Sequence, residues 1–452
     1  MKSINPSTGE LIKEYHEHTS KEVSFIIEKA NHTFLKWRET SFSDRSSLMK
    51  NAAKVLRKNI NDYARLMSLE MGKIIKESRS EVEKCAWVCD YYAENAEDFL
   101  ADEIVETDAS KSFISFEPLG VVLAIMPWNF PFWQVFRFAA PGLMAGNTGL
   151  LKHASNVPGC AQVIENIFKE AGFPEGVFNT LMITSSEVEK VIRNPLVKAV
   201  TLTGSEPAGK SVAAIAGQEI KKTVLELGGS DPFIVLDDAD LDACLNTAVQ
   251  ARMINTGQSC IAAKRFIVVK SRIKEFEERV TQLMQSLKMG DPLQEATQVG
   301  PLARTDLVDD LHAQVEKSIQ MGAKLLCGGK RIHGKGDYYE PTVISEIRKG
   351  MPVYQEETFG PVLAIIQVND DLEAIEVAND SEFGLGGSIW TTDSTKAEEM
   401  ARKIETGAVF VNGLVKSDPR MPFGGIKKSG YGRELSDYGI KEFVNIKSIW
   451  IK

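Results

Sequence analysis

The spacing of hydrophobic residues changes several times along this chain, and each change predicts a different kind of element. From residue 44 to residue 96 apolar positions recur every three or four residues with few helix breakers, which predicts helix. Residues 99–117 instead alternate between apolar and polar, which predicts a strand pair outside the main repeat. Residues 443–451 alternate weakly, so they offer one more strand elsewhere in the fold.

Short runs of β-branched residues then alternate with helical stretches. Helices are predicted from about residue 157, over 187–193 and from residue 207. The strands predicted between them are 121–126, 148–152, 177–183, 199–203 and 222–227. Strands that alternate with helices predict a parallel sheet covered by helices on both faces.

The same alternation restarts after Gly228-Gly229. The later strands are predicted at residues 233–236, 266–269, 362–366, 387–390 and 409–411, with helices between several of them. The pattern therefore predicts an α/β fold with two α/β units, and the chain crosses from one to the other near the glycine pair.

Length and composition narrow the function classes. A chain of 452 residues exceeds a single hydrophobic core, so two or three domains are expected. The net charge of −9 argues against a nucleic-acid partner. The apolar region 119–151 is interrupted by Pro127, Pro131, Arg137, Pro141 and Asn147, which argues against a membrane span. The polar start and the six cysteines without framework spacing fit a cytoplasmic protein.

One cysteine stands in a context that favours chemistry. Cys260 ends the run Asn-Thr-Gly-Gln-Ser-Cys, 34 residues after Glu226, which follows a predicted strand. A loop cysteine with a candidate carboxylate base suggests a thiolate nucleophile. Taken singly, the cysteine could serve packing, Glu226 a cap and Asn129 a turn. No cluster of residues has the spacing of a metal site, so no metal is expected.

Four motifs occur together, and their order is that of a known family. They are Pro-Trp-Asn-Phe-Pro at 127–131, Leu-Glu-Leu-Gly-Gly at 225–229, the run that ends at Cys260, and Glu-Glu-Thr-Phe-Gly-Pro at 356–361. With them the chain resembles the aldehyde dehydrogenase superfamily. The resemblance implies NAD(P)-dependent oxidation of an aldehyde to a carboxylate through a cysteine thiohemiacetal and a thioester.

The resemblance also assigns catalytic roles. Cys260 is then the nucleophile, and Asn129 with the backbone N–H of Cys260 stabilises the oxyanion. Glu226 is the base that activates the water for thioester hydrolysis. A variant that uses coenzyme A instead of water usually lacks this glutamate, so hydrolysis is expected.

The cofactor signals are less direct, because no Gly-x-Gly-x-x-Gly follows the first strand. Gly204 and Ser205 lie between a predicted strand and a helix, where a pyrophosphate is favoured. The family's lysine for the adenosine ribose corresponds to Lys152. Ser155 occupies the position where many NAD-preferring members have a glutamate, so NADP is preferred and NAD is the alternative.

Other positions are placed at the cofactor by the same resemblance. Glu357 corresponds to the residue that positions the nicotinamide ribose, and Phe359 to the one that packs on the nicotinamide ring. Trp128 and Leu227 are placed among the cofactor-binding residues. Trp128 is expected in the adenine-side groove or at the base of its loop, without a chemical role.

The resemblance divides the chain into three parts. Residues 1–97 and 119–228 would form the nucleotide-binding domain, and residues 229–428 the catalytic domain. Residues 98–118 and 429–452 would form a small β oligomerisation arm, so a homodimer or homotetramer is expected. The fold class is thus aldehyde dehydrogenase-like, with two doubly wound α/β domains and the arm.

The substrate is expected to be a carboxylated aldehyde. The run around Cys260 looks like that of the short NADP-dependent succinate-semialdehyde dehydrogenases, whose carboxylate-binding positions correspond to Arg137 and Ser417. A further arginine sometimes found there is replaced by Ile254, and Lys416 or Arg420 could compensate. The alternatives are another small aliphatic or aromatic aldehyde, a cysteine hydrolase without cofactor, and a catalytically idle binding or structural protein on this fold.

Overall fold

Two parallel β-sheets, each covered by helices, dominate the computed structural model, which describes residues 1–452. The α-helices are α1 (Ser20–Trp37), α2 (Phe42–Lys58), α3 (Ile60–Met71), α4 (Ile75–Phe99), α5 (Trp133–Met144), α6 (Pro158–Glu170), α7 (Val188–Arg193), α8 (Glu206–Gln218), α9 (Leu241–Met253), α10 (Ile273–Gln285), α11 (Thr305–Gln320), α12 (Pro352–Gln355), α13 (Asp371–Asn379), α14 (Ser394–Ala401) and α15 (Ser436–Ile440). Short 3₁₀ turns cover Ser185–Glu187, Ile254–Gly257 and Lys441–Phe443.

The strands are shorter than the helices and spread over the whole chain. They are β1 (Lys2–Ile4), β2 (Leu11–Glu14), β3 (Glu103–Ile104), β4 (Lys111–Pro118), β5 (Val121–Met126), β6 (Thr148–His153), β7 (Phe178–Thr180), β8 (Val197–Thr203), β9 (Lys222–Glu226), β10 (Asp231–Val235), β11 (Ala263–Val269), β12 (Lys324–Cys327), β13 (Thr342–Ser345), β14 (Val362–Val368), β15 (Phe383–Gly384), β16 (Gly386–Trp390), β17 (Ala408–Val411), β18 (Ile426–Lys427), β19 (Gly430–Tyr431) and β20 (Val444–Ile451).

The first sheet has the order β19-β9-β8-β5-β6-β7 and is parallel except at β19. Its central strand β5 is apolar throughout, and alternate residues enter different cores. Val121 and Leu123 belong to the core on one face, whereas Val122 and Ala124 belong to the core on the other. A strand buried on both faces needs such a continuous apolar run.

The second sheet has the order β12-β13-β14-β11-β10-β16-β17, with only β12 antiparallel to its neighbour. Here too the two faces enter separate cores, since Phe233 and Val235 lie in one and Ile234 in the other. The predicted fold class, with two doubly wound α/β domains and a small β arm, is confirmed.

Two parts of the helical prediction need correction. Residues 44–96 form not one continuous helix but α2, α3 and α4. Gly72 ends α3 with φ of +80°, and a Cβ there would lie 2.7 Å from Pro301 Cγ. The helix α1 was not predicted, although Thr19 and Glu22 form a capping box at its start.

A three-stranded antiparallel sheet of β20, β4 and β3 forms the arm. The segment 429–452 is shared, because β19 pairs with β9 of the first sheet and only β20 joins the arm. Gly430 permits this, since a Cβ on it would lie 1.9 Å from the carbonyl oxygen of Leu225. The arm carries exposed apolar side chains, among them Ile104, Ile446 and Trp450.

None of the helices combines the length and the apolar character that are needed to cross a lipid bilayer.

Candidate active site

Cys260 lies in a loop between α9 and β11 whose backbone is held in an unusual conformation. Asn255, Thr256 and Gly257 have φ of 53°, 55° and 77°. A left-handed conformation is unfavourable for β-branched threonine, and such strain collects at functional sites. A Cβ on Gly257 would lie 2.1 Å from the carbonyl oxygen of Gly360, so the close approach there requires glycine.

Hydrogen bonds from neighbouring segments fix this loop. The side-chain amide of Asn255 donates to the carbonyl oxygen of Asn129 at 2.8 Å, and the N–H of Gly300 donates to Thr256 Oγ1 at 3.1 Å. The buried ammonium of Lys264 donates to the carbonyl oxygens of Ser259 and Cys260 at 2.9 and 2.8 Å. The position of Cys260 is therefore set by contacts from several parts of the chain.

Two cavities meet at Cys260. One, of about 210 Å³, is bordered by α4 and is called the α4-side cavity below. Its lining residues are Glu77, Ser80, Glu81, Lys84, Phe130, Trp133, Gln134, Arg137, Ile254, Ser259, Cys260, Ile261, Leu414, Val415, Lys416, Ser417 and Phe423. They come from distant parts of the chain, so only the folded protein forms this cavity.

The other cavity, of about 420 Å³, lies at the carboxyl ends of β5, β8 and β9 and is called the β8-side cavity. Its lining residues are Pro127, Trp128, Asn129, Thr203, Gly204, Ser205, Leu227, Gly228, Cys260, Arg304, Leu307, Glu357 and Phe359. Ligands of parallel α/β sheets bind at this edge. Six of the eight predicted cofactor-binding residues are therefore brought together.

The remaining two do not line this cavity: Lys152 lies in β6 and Ser155 in the turn that follows it. Lys152 is buried near the end of β6, opposite Ile125 of β5. Burial lowers the pKa of the Lys152 ammonium. Ser155 is exposed in the turn that follows β6.

The turn between β8 and α8 has free hydrogen-bonding groups. Ser205 occupies the N-cap position of α8, yet its side chain makes no capping hydrogen bond. The hydroxyl of Ser205 and the first N–H groups of α8 are thus available to a ligand anion. Trp128 and Phe359 stand edge to face in the same cavity, with ring centroids 5.8 Å apart.

Glu357 links the β8-side cavity to the Cys260 loop. Its carboxylate accepts from the N–H of Gly229 at 3.0 Å and lies 3.4 Å from Lys264 Nζ. A Cβ on Gly228 would be 2.4 Å from a Glu357 oxygen, so the glycine makes room for that carboxylate. Lys264 received no role from the sequence, because one lysine in a strand carries no spacing signal.

Asn129 is buried in the loop after β5 and faces the same cavity as Cys260. Its amide nitrogen donates to the carbonyl oxygen of Gln258 at 3.2 Å, which leaves its second N–H available. The backbone N–H of Cys260 donates to no group of the chain. Two donors are thus present among the residues that line this cavity together with Cys260.

The thiol of Cys260 is half-buried, unlike the five other free cysteines, which are buried. Burial raises the pKa of the Cys260 thiol to about 12, although Arg137 and Lys264 oppose that shift. The pKa values of those other thiols are raised as well, with burial as the largest cause. Among the six thiols, Cys260 is the accessible one.

Glu226 ends β9 but lines neither cavity. Burial, and then the nearby Glu434 carboxylate, raise the pKa of Glu226 well above its ordinary value, whereas Arg137 opposes this. No hydrogen bond holds either Glu226 carboxylate oxygen. The structure therefore does not place the predicted base in the same cavity as the predicted nucleophile.

Arg137 and Ser417, the two residues predicted to bind the substrate carboxylate, both line the α4-side cavity. Arg137 is buried and forms an ion pair with Glu434. Its guanidinium also lies 4.6 Å above the Phe423 ring and donates weakly to Thr203 Oγ1 at 3.4 Å. Much of its charge is thus already balanced inside the protein.

Ile254 stands at the position of the missing arginine, and Lys416 and Arg420 were the residues expected to compensate for it. The three differ in how they relate to the cavity. Ile254 lines the α4-side cavity without a charge. Arg420 is exposed and makes a bidentate pair with Asp418 at 2.9 and 2.7 Å. Arg420 does not line the cavity, whereas the exposed Lys416 does.

The sequence did not reveal that α4 forms one wall of the α4-side cavity. Glu77, Ser80, Glu81 and Lys84 follow the spacing of one helical face, so all four reach the same space. Lys84 Nζ donates to Ser417 Oγ at 2.7 Å. In the sequence, the polar residues of a cavity wall look the same as those of a solvent-exposed helix face. No signal in the sequence distinguishes a cavity wall from such a face.

No group of three or more His, Cys, Asp or Glu side chains is arranged to hold a metal ion.

The sequence of this chain is similar to those of known proteins. The sequence model of the aldehyde dehydrogenase family matches residues 1–449. The chain is 55% identical over 449 residues to a probable NADP-dependent succinate-semialdehyde dehydrogenase of Synechocystis, with 99% of both chains covered. It is 51% identical to the NADP-dependent succinate-semialdehyde dehydrogenase of Mycobacterium avium, covering 99% of this chain and 96% of that one.

Among solved structures, the succinic semialdehyde dehydrogenase of Streptococcus pyogenes in complex with NADP⁺ superposes with a TM-score of 0.98 and is 41% identical. The match covers 100% of this chain and 99% of that one.

Proposed function

Because the chain belongs to the aldehyde dehydrogenase family, we propose that it oxidises succinate semialdehyde to succinate with NADP. Aldehyde oxidation is the reaction of the family, and the protein is an enzyme. The observation that carries the proposal is that Cys260 lines both the β8-side and the α4-side cavity. A thiol at that junction can meet a cofactor from one side and an aldehyde from the other.

The β8-side cavity fits a dinucleotide. Ser205 and the N-terminus of α8 offer unused donors for a pyrophosphate. Glu357 offers an acceptor for a ribose, and Phe359 with Trp128 offers an aromatic wall. NADP, when bound, supplies the nicotinamide that accepts a hydride.

The preference for NADP rests on Lys152 and Ser155. Both lie at the carboxyl end of β6, where the adenosine ribose of this family binds. The Ser155 hydroxyl can donate to a 2′-phosphate, and the Lys152 ammonium supplies countercharge. A glutamate at position 155 would repel that phosphate.

In the proposed mechanism, the Cys260 thiolate attacks the aldehyde carbon and the carbonyl oxygen becomes an oxyanion. The free N–H of Asn129 and the backbone N–H of Cys260 donate to that oxygen. Because burial holds the thiol protonated, a base must take its proton before the attack. Glu226, once turned towards Cys260, is the proposed acceptor, and it passes the proton to solvent water before it activates the hydrolytic water. The acyl group remains on Cys260 as a thioester once the hydride has departed.

Glu226 is proposed to deprotonate the water that hydrolyses this thioester. Burial raises the pKa of Glu226, so its carboxylate, when ionised, is a stronger base than that of an ordinary glutamate. Its side chain must turn towards Cys260 to do so, since it lines neither cavity. That rotation breaks no hydrogen bond of its carboxylate.

The carboxylated substrate is supported by the cationic residues of the α4-side cavity and by the names of the relatives. Arg137 and Ser417 are proposed to contact the remote carboxylate. A second candidate, a neutral aldehyde, is favoured by the ion pair of Arg137 with Glu434 and by the aromatic walls Phe130 and Trp133.

Initial rates with the purified enzyme test the proposal. We expect kcat/KM with NADP to be much larger for succinate semialdehyde than for pentanal, a neutral aldehyde of similar length. We also expect NADP to be preferred over NAD with the same aldehyde. Equal kcat/KM for both aldehydes would contradict the substrate, and a preference for NAD would contradict the cofactor.

An assembly of two or four identical subunits is proposed from the exposed apolar side chains of the arm. Ile446 and Trp450 share one face of the sheet and are 60% and 52% exposed, and Ile104 on the other face is 72% exposed. Apolar side chains exposed on both faces are costly to leave in water. Sedimentation velocity should find a dimer or tetramer, and a monomer would contradict the proposed assembly.

A cytoplasmic location is proposed because all six cysteines are free thiols. Cell fractionation would test this location.

A further inference from the structure

We propose that the Lys84 ammonium on α4 binds the remote carboxylate of the aldehyde and is the main positive charge of the α4-side cavity. The inference rests on the proposed function, because it requires an anionic aldehyde. It assigns the specificity for the carboxylate to a residue outside the motifs that identify the family.

The placement of Lys84 is the first argument. Lys84 lines the same cavity as Cys260, and its Nζ lies 4.2 Å from the centre of the Trp133 ring. Nζ also donates to Ser417 Oγ at 2.7 Å. An ammonium has three N–H donors, so two remain for a carboxylate.

The balance of charge in the cavity is the second argument. Arg137 is paired with Glu434, whereas no carboxylate lies within ion-pair distance of Lys84. Lys416 also lines the cavity, but it is exposed and strongly hydrated. Lys84 is therefore the half-buried cation in this cavity without a carboxylate partner.

Glu81 on α4 and Asp418 in the late loop attract the Lys84 ammonium, but these effects are smaller than burial and the repulsion by Arg137. The two acidic residues on the same face of α4 are also engaged by other groups. Glu81 pairs with the buried Lys73 and accepts from the backbone N–H groups of Phe132 and Trp133, both at 2.9 Å. Glu77 accepts from the backbone N–H of Asn255 at 3.0 Å. Burial raises the pKa of Glu77 to about 7, so part of its charge is lost at neutral pH.

The surroundings of Lys84 favour an incoming anion. Burial, and next the positive Arg137, lower the pKa of Lys84 to about 8. Below pH 8 the ammonium is still mostly charged, but that charge is poorly compensated. A substrate carboxylate would supply the missing opposite charge, and the Ser417 hydroxyl beside it can donate to the second oxygen.

The test compares Lys84→Met with Lys84→Arg, and with Lys76→Met as a control on the exposed face of the same helix. We expect Lys84→Met to lower kcat/KM for succinate semialdehyde about 10- to 100-fold, mainly through KM. Activity with pentanal should fall much less than activity with succinate semialdehyde, because pentanal carries no carboxylate for Lys84 to bind. Lys84→Arg should recover most of the loss, and Lys76→Met should resemble the wild type.

Binding of the product provides a readout that is independent of turnover. Calorimetric titration with succinate should show a similar 10- to 100-fold weakening for Lys84→Met. In the wild type, succinate should protect Lys84 from acetylation by acetic anhydride, measured by mass spectrometry, whereas the neutral butyramide should not. This protection needs no substitution, so it decides the matter even if Lys84→Met does not fold.

Failure of the inference and failure of the proposed function give different results. If the wild type prefers succinate semialdehyde but Lys84→Met behaves as the wild type, only the role of Lys84 is overturned. The same holds if succinate leaves the acetylation of Lys84 unchanged. If the wild type does not prefer the carboxylated aldehyde, the proposed function fails and the role of Lys84 fails with it.

Discussion

The β8-side and α4-side cavities share Cys260 but are built by different means. Loops that follow strands line most of the β8-side cavity, where Gly228 lets the Glu357 carboxylate approach the backbone closely. Helix faces and a late loop line the α4-side cavity, through residues such as Lys84, Trp133 and Ser417. The first depends on backbone shape, and the second depends on which side chains a helix presents.

This difference decides what each cavity can tolerate. A loop that follows a strand needs glycine or proline at fixed positions, so few other sequences can form it. A helix face tolerates exchange of its side chains, because the backbone is unaffected. We therefore expect cofactor use to depend on a few fixed positions and substrate choice to vary more easily among related enzymes.

The largest expected effect comes from removing the group that the two cavities share. Cys260→Ala should lower kcat on the order of 10⁴-fold or more for both aldehydes, because no other accessible thiol can replace the nucleophile. Quenching of protein fluorescence by NADPH should persist, since the β8-side cavity is intact. Residual activity within tenfold of the wild type would contradict the assignment of the nucleophile.

A substitution at Ser155 should have a smaller effect, and it should change only the kinetic constants for the cofactor. Ser155→Glu should reduce kcat/KM for NADP about 10- to 100-fold through repulsion of the 2′-phosphate. With NAD it should stay the same or increase, and KM for succinate semialdehyde should not change. Ser155→Ala is the matched control, which loses the hydroxyl without adding a charge. Equal effects of Ser155→Glu on both cofactors would mean that position 155 does not contact the 2′-phosphate.

The smallest expected effect is the change in the rate of Cys260 alkylation with pH. The thiolate is the reactive form, and a pKa raised to about 12 keeps the thiol protonated at neutral pH. Without cofactor, the rate of Cys260 alkylation by iodoacetamide should therefore rise about tenfold per unit between pH 7 and pH 9.

The rate of alkylation of Cys260→Ala measures how much the five buried thiols contribute in this experiment. A rate that levels off near pH 8 would show instead that the cavity stabilises the thiolate before any cofactor binds.

The sequence predicted the β8-side cavity better than the α4-side cavity for the same physical reason. Gly204, Ser205, Glu357 and Phe359 occur in motifs that must lie at strand ends, and the structure brings them together. The resemblance to the aldehyde dehydrogenases, which rested on such motifs, is confirmed. Glu226 lies in one of them, yet its carboxylate points towards Gly424, where an added Cβ would lie 2.6 Å from Glu226 Oε1, and this direction was not predictable.

Parts of the fold escaped prediction through similar causes. The break at Gly72 interrupts a long helical pattern, because its Cβ-free backbone fits against Pro301 from the second half of the chain. The pairing of β19 with β9 depends on two residues, which is too short for any alternation to be detected. Such contacts between distant segments become visible only in the folded chain.

The wide separation in sequence of the residues around the α4-side cavity affects biosynthesis. The cavity takes α4 from the first quarter of the chain and Ser417 and Phe423 from its last tenth. A nascent chain on the ribosome can fold the strands β5 to β9 of the first sheet early, but β19 and the cavity wall at residues 414–423 do not yet exist. The enzyme therefore completes the α4-side cavity only near the end of translation, so an incomplete chain that ends before residue 414 would carry Cys260 without the cavity wall that contacts the aldehyde.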